Sequence, residues 1–161
     1  MTPEEVERKL SALRSTLDAA DCRYTILAHE TTVHSAEDGV ARGMGRLEEM
    51  APTFILKSDG GFLAAILSGA TKLSYRKIRK NLGLSNVSLA PPQSVLEITG
   101  SPVGTVSLVQ TAVPTILDER LASLPEGFGG CGVPGHTLRI RLADLIRITR
   151  ARVFDFAEPK E

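Results

Sequence analysis

A chain of 161 residues, 42% of them hydrophobic, is long enough to bury one core and too short to need two, which predicts a single domain over residues 1–161. Lys plus Arg and Asp plus Glu number 19 each, so no global field draws in a polyanion, and a basic site has to come from local clustering. Cys22 and Cys131 have neither metal-ligand spacing nor the number for a disulfide framework, no apolar run exceeds Phe62 to Leu67, and the N-terminus is polar and acidic; a soluble, unprocessed cytoplasmic chain with free thiols and no membrane partner is expected.

Residues 2–20 open with Thr2 as N-cap, Pro3 at the first helical position and Glu5 where a capping box needs it, and Val6, Leu10, Leu13 and Leu17 then share one helical face. Arg23 to Ala28 has strand composition, and Ser35 with Asp38 offers a second capping box for a glycine-weakened helix carrying Val40 and Met44. Thr53 to Lys57 and Phe62 to Leu67, joined by SDGG, form a hairpin apolar enough to be central in a sheet, with the Asp-Gly-Gly supplying positive φ angles. Ser74 caps YRKIRKNL, which Gly83 ends, with Tyr75, Ile78 and Leu82 facing inward. A strand at Val87 to Leu89 leads to a proline-started helix that stops at Gly100. Strands follow at Thr105 to Val109, Pro114 to Leu117 and His136 to Ile140, separated by a helical turn near Asp118 and a glycine-rich loop, GFGGCGVPG; a helix over Leu142 to Thr149 and a strand from Arg152 to Phe156 close the chain. Hairpins mixed with strand-helix-strand steps predict an α/β fold, a mixed sheet with helices packed around it.

Lys72, Arg76, Lys77, Arg79 and Lys80 crowd one short helix, and because the apolar stripe takes Tyr75, Ile78 and Leu82, the cations project outward. Such a patch can hold phosphates; a solvated helix face is the plainer reading and slightly favoured, with no aromatics interleaved to stack bases. The loop GFGGCGVPGHT gathers five glycines, a thiol and an imidazole, a composition that suits either a binding wall of backbone N–H groups or a merely flexible connection. A Cys131–His136 nucleophile and base lacks a visible third member, and His29 and His34 have no partner at metal-ligand spacing. The turn TGSPVGTVS puts Gly100, Gly104 and the Ser107 hydroxyl together, able to grip a carbonyl or ribose, or to make an ordinary helix-to-strand turn.

Taken in order, HSAEDGVARGMG, PTFILKSDGG, LSYRKIRKNLGLSNVSLAPPQSVLEITG with SPVGTVSL, VPTILDERL and GGCGVPGHTLRIRLADLIRITRARVFDFA resemble the YbaK and prolyl-tRNA synthetase-associated editing domains, over roughly residues 24–157. The resemblance implies a curved, barrel-like mixed β-sheet with flanking helices. It also implies trans-editing: hydrolysis of the ester joining a wrong small amino acid to tRNA, typically tRNA for proline, with aminoacyl-tRNA and an aminoacyl-tRNA synthetase as partners and neither metal nor organic cofactor. Chemistry there leans on positioned water, backbone donors and substrate hydroxyls, which maps the site onto Thr53, Gly104, Ser107, Gly130 and His136.

Two departures stand out. The family's Lys-Thr pair, whose lysine helps hold phosphate near the terminal adenosine, aligns with Pro52-Thr53, and Lys57 lies four residues beyond Thr53, about 13 Å along an extended strand. The family's Gly-x-x-x-Pro loop keeps Gly104 and Ser107 but has Leu108 at the proline position. Lys72 or Arg76, or Arg139 and Arg141 further on, are candidates for the missing charge; the alternative is a tRNA- or ligand-binding module that has lost hydrolysis.

Overall fold

The computed structural model describes residues 1–33 and 35–160, so the reading of His34 lies outside the described residues. The chain runs α1 (Pro3–Ala19), β1 (Tyr24–Ala28), α2 (Ala36–Ala41), a 3-10 turn (Leu47–Glu49), β2 (Thr53–Ser58), β3 (Gly61–Ile66), β4 (Thr71–Leu73), α3 (Tyr75–Leu82), β5 (Val87–Leu89), α4 (Pro92–Thr99), β6 (Thr115–Asp118), α5 (Glu119–Ala122), β7 (Glu126–Gly130), β8 (His136–Arg141), α6 (Leu142–Thr149), β9 (Arg152–Phe154) and β10 (Ala157–Pro159). The predicted helix ends are visible as hydrogen bonds: Thr2 and Glu5 close a reciprocal capping box on α1, Ser74 Oγ accepts from Lys77 N, and Gly83 and Gly100 end α3 and α4 in the left-handed conformation.

The strands form the mixed sheet wrapped by helices that the resemblance implied, divided into three ladders. A five-stranded sheet runs β5-β2-β3-β6-β9, antiparallel through the β2–β3 hairpin and parallel at β6 and β9; β1-β8-β7 is an antiparallel three-stranded sheet, and β10 pairs with β4. Central placement explains why the hairpin is apolar on both faces. Ile55 and Ala64 pack with Val95 of α4 and Val106, while Leu56, Leu63 and Ala65 pack with Ile78 of α3 and Phe156. A third cluster joins Leu10, Leu13 and Leu17 of α1 to Leu138 and Ile140 of β8 and Leu142 and Leu145 of α6. Two stitches hold β7 to its neighbours: Ala51 N, just before β2, donates to the Phe128 carbonyl at 2.7 Å within a parallel Met50–Phe128 bridge, and Leu108 N, in the segment after α4, donates to the Gly130 carbonyl at 3.0 Å.

Four expectations need correction. Residues 105–109 are not a strand, because their backbone is satisfied locally: Thr105 N bonds the Pro102 carbonyl, Ser107 Oγ accepts from Val109 N, and Gln110 Nε2 bonds the Ser107 carbonyl. The front half of GFGGCGVPG is strand β7, not loop, and its glycines mark close approach of backbones: a Cβ on Gly129 would sit 2.6 Å from Leu108 Cγ, and one on Gly130 would overlap the Val106 carbonyl oxygen. Arg152 to Phe156 splits, since β9 ends at Phe154 and β10 leaves to pair with β4, a three-residue strand the local sequence did not announce. In the SDGG turn only Gly61 has positive φ, 107°.

Candidate active site

A cavity of about 400 Å³ opens where the two larger sheets are stitched together. The start of β2 gives it Pro52 and Thr53, the turn after α4 gives Gly104 to Val106, the end of β7 gives Phe128 to Gly130, and β8 begins with His136 and Thr137. Residues on and before α2, among them Thr32, Ala36 and Glu37, close one side, and Lys160, just past β10, stands on the same wall.

Four of the five predicted site residues therefore come together: Thr53, Gly104, Gly130 and His136. Ser107 does not line the cavity, and its hydroxyl is used within its own turn. Thr53 Oγ1 is buried without a hydrogen-bond partner, an unfavourable state for a hydroxyl unless a ligand supplies one. Gly104 has φ of 93°, so the turn that carries it is shaped for glycine. His136 Nδ1 lies 2.9 Å from the Pro134 carbonyl, which only accepts; the neutral ring thus carries its proton on Nδ1 and keeps Nε2 as an acceptor. Behind it, His29 Nε2 and the Thr137 hydroxyl are 2.9 Å apart, and burial, then Arg42 and His136, lower the His29 pKa and favour its neutral form.

The thiol has no place in this arrangement. Cys131 is 4% exposed in the core with Leu108 and Leu138, and burial pushes its pKa up to about 12. Among the described residues, no three His, Cys, Asp or Glu side chains converge as a metal site would require, and no helix is long and apolar enough to cross a membrane.

The cations are arranged differently from the sequence expectation. None of Lys72, Arg76, Lys77, Arg79 and Lys80 lines the cavity. Lys77 turns inward to Asp155, with Nζ 3.0 and 3.1 Å from its carboxylate oxygens, and to the Ala157 carbonyl at 2.9 Å, so it ties α3 to the segment entering β10. Arg139 forks onto Glu126 with two bonds of 2.9 Å, and Arg141 and Lys57 also lie outside the cavity. The cation that does line it, Lys160, was missed, and local sequence carries no signal for it: its place follows from the β10–β4 ladder and from its N–H donating to the Ala70 carbonyl at 3.2 Å.

Comparison with known proteins adds a family. Residues 30–148 match the family model described as the aminoacyl-tRNA editing domain. Among sequence relatives, the proline–tRNA ligase of Moorella thermoacetica is 30% identical over 92 residues, covering 56% of this chain and 16% of that enzyme. The proline–tRNA ligase of Thermosipho melanesiensis is 24% identical over 119 residues, 72% of this chain and 21% of its own. The chain thus spans about a fifth or less of these curated relatives. Among solved structures, a hypothetical protein superposes with a TM-score of 0.83 at 24% identity, covering 91% of this chain and 99% of its own. A candidate trans-editing enzyme for prolyl tRNA synthetase does so at 0.82 and 21%, covering 98% and 99%. At such identities the superpositions establish a shared fold.

Proposed function

The chain belongs to the aminoacyl-tRNA editing domain family, and on that premise we propose that it is a cytoplasmic trans-editing deacylase, removing a small, wrongly attached amino acid from tRNA for proline. The observation that carries this reading is the buried, unpartnered Thr53 hydroxyl beside a glycine-walled cavity of about 400 Å³. The ester carbonyl enters between Thr53 and the backbone of Gly104 and Gly130, which donate to the oxygen that becomes negative. Water, accepted at His136 Nε2, adds to the acyl carbon; the bond to the ribose oxygen breaks, that oxygen takes the proton, and free amino acid and tRNA leave. The apolar lining, Val33, Val106 and Phe128 among it, suits a small aliphatic side chain, and the low charge of the lining fits chemistry done by positioned dipoles instead of a protein nucleophile.

One observation favours a second reading, a tRNA-binding module without hydrolysis: Pro52 lines the cavity at the position where the family carries its lysine. Incubating the protein with alanyl-, cysteinyl-, seryl- and prolyl-tRNA and following the ester decides between them. Loss of one small aminoacyl ester is expected. Intact esters throughout, together with salt-sensitive tRNA binding, would overturn the deacylase in favour of the module.

A further inference from the structure

Seating the aminoacyl end of a tRNA in this cavity brings the phosphodiesters of the terminal nucleotides to its mouth, and each carries a negative charge that needs a cation. Among the described residues that line the cavity, Lys160 alone is a lysine or arginine and Glu37 alone is a carboxylate, and the two meet: Lys160 Nζ lies 3.1 Å from Glu37 Oε1. We propose that Lys160 is the phosphodiester-binding residue of this site and that Glu37 is the counter-ion it releases when the tRNA end arrives. The inference rests on the editing-site reading for the identity of the ligand, and on the geometry for the residue.

Three features support it. The pair is open to water, with side chains 41% and 61% exposed, so it contributes little to stability and exchanges readily for a competing anion. Three cations outside the lining are committed in a way Lys160 is not: Arg42 is spent on both oxygens of Asp38 and the carbonyls of Thr31 and Thr32, Lys77 on three acceptors, and Arg139 on both oxygens of Glu126. The Lys160 backbone, finally, is fixed where the flexible side chain can swing between partners, since its N–H is bonded to Ala70 and the preceding residues pair with β4. Glu37 sits in the first turn of α2, and the carboxylate set free by the exchange faces the incoming phosphates, a repulsion that Glu37→Gln removes. The resting pair masks that charge, and the exchange makes occupancy of the site depend on salt.

The test compares an aminoacyl minihelix ending in CCA with aminoacyl-adenosine, which has no phosphate. In Lys160→Ala the preference for the minihelix, read as the ratio of kcat/KM values, falls about tenfold through KM, as expected for losing a hydrogen bond to a charged group. The slope of log kcat/KM against log salt becomes shallower by about 0.7, the value for one phosphate contact on a single strand. Lys160→Arg recovers most of the preference, and Glu37→Gln lowers KM for the minihelix. An equal loss on both substrates, or an unchanged salt slope, overturns the assignment. If no ester is hydrolysed and the deacylase reading falls, the same variants are titrated with the uncharged minihelix: the same change of slope in binding upholds Lys160 as the phosphate contact, and an unchanged slope overturns it.

Discussion

Asp118 is fully buried at the end of β6, where Oδ2 accepts from Arg120 N at 3.1 Å, capping α5, and Oδ1 accepts from Phe156 N at 2.9 Å, fixing the chain as it enters β10. Replacing it with alanine removes a helix cap, about 1 kcal/mol, and strands a buried N–H at Phe156, about 1–3 kcal/mol. The expected loss is about 3 kcal/mol, which for a chain of this length lowers Tm by about 6–12 °C. Asp118→Asn separates the two contributions: its single amide oxygen still accepts from Phe156 N while its NH2 group faces Arg120 N, so only the cap is lost, at about 1 kcal/mol. Urea denaturation of the three proteins gives both numbers. Because Phe156 leads into the strand that precedes Lys160, the alanine variant also loses affinity for a CCA-ended minihelix. A cost below about 1 kcal/mol for alanine, or an asparagine variant as damaged as the alanine one, would refute this account of the C-terminal anchor.

Thr53→Val keeps the shape of the side chain and removes an unpartnered oxygen, so the urea midpoint holds or rises while deacylation falls by at least about tenfold; unchanged turnover removes Thr53 from the site. Cys131→Ala retains deacylation, and the native thiol resists iodoacetamide near neutral pH, as a group whose pKa is pushed up to about 12 must; rapid labelling would contradict the burial. Asp144 is held below the ordinary carboxylate range by the Arg23 N–H, then by Arg147, and Asp155 by its bonds to Lys77. Both pKa values are lower folded than unfolded, so the stability they add is complete above about pH 4 and is lost as pH falls through their depressed values. Melting curves from about pH 7 to about pH 2.5 should show a flatter acid limb in Asp144→Asn, and an unaltered limb would show that the Arg23 contact adds nothing.

Elements whose signals are local were readable from sequence. Thr2, Pro3 and Glu5 specify the start of α1, Ser74 and Gly83 bracket α3, and the two apolar runs around SDGG give the central hairpin. Elements that exist only because a distant segment pairs with them were not: β4 and β10 are three residues each and find one another across most of the chain. Glycine misled for a related reason. At Gly129 and Gly130 it serves proximity to Ala51, Val106 and Leu108, a property of the fold that looks locally like a loop. The site divides the same way. Thr53, Gly104, Gly130 and His136, which the family resemblance orders, line one cavity, whereas the density of charge on α3 drew attention away from a lysine whose position depends on a ladder.

The wall between β2 and β7 fixes one side of the cavity. Gly129 has no room for a Cβ against Leu108 Cγ and the Ala51 carbonyl, so β7 rests directly on neighbouring main chain. Soft walls of long side chains yield to an extra methylene by changing rotamer, and a hydrophobic pocket seldom separates such ligands by more than about 200-fold even when it is well formed. On this side, widening means moving β7 away from Ala51 and Leu108 and breaking their bonds to it. The width of the cavity on that side is inherited from the joint between β7 and its neighbours, and the side chains of the remaining lining, Met44 and Met50 among them, are the part that can yield.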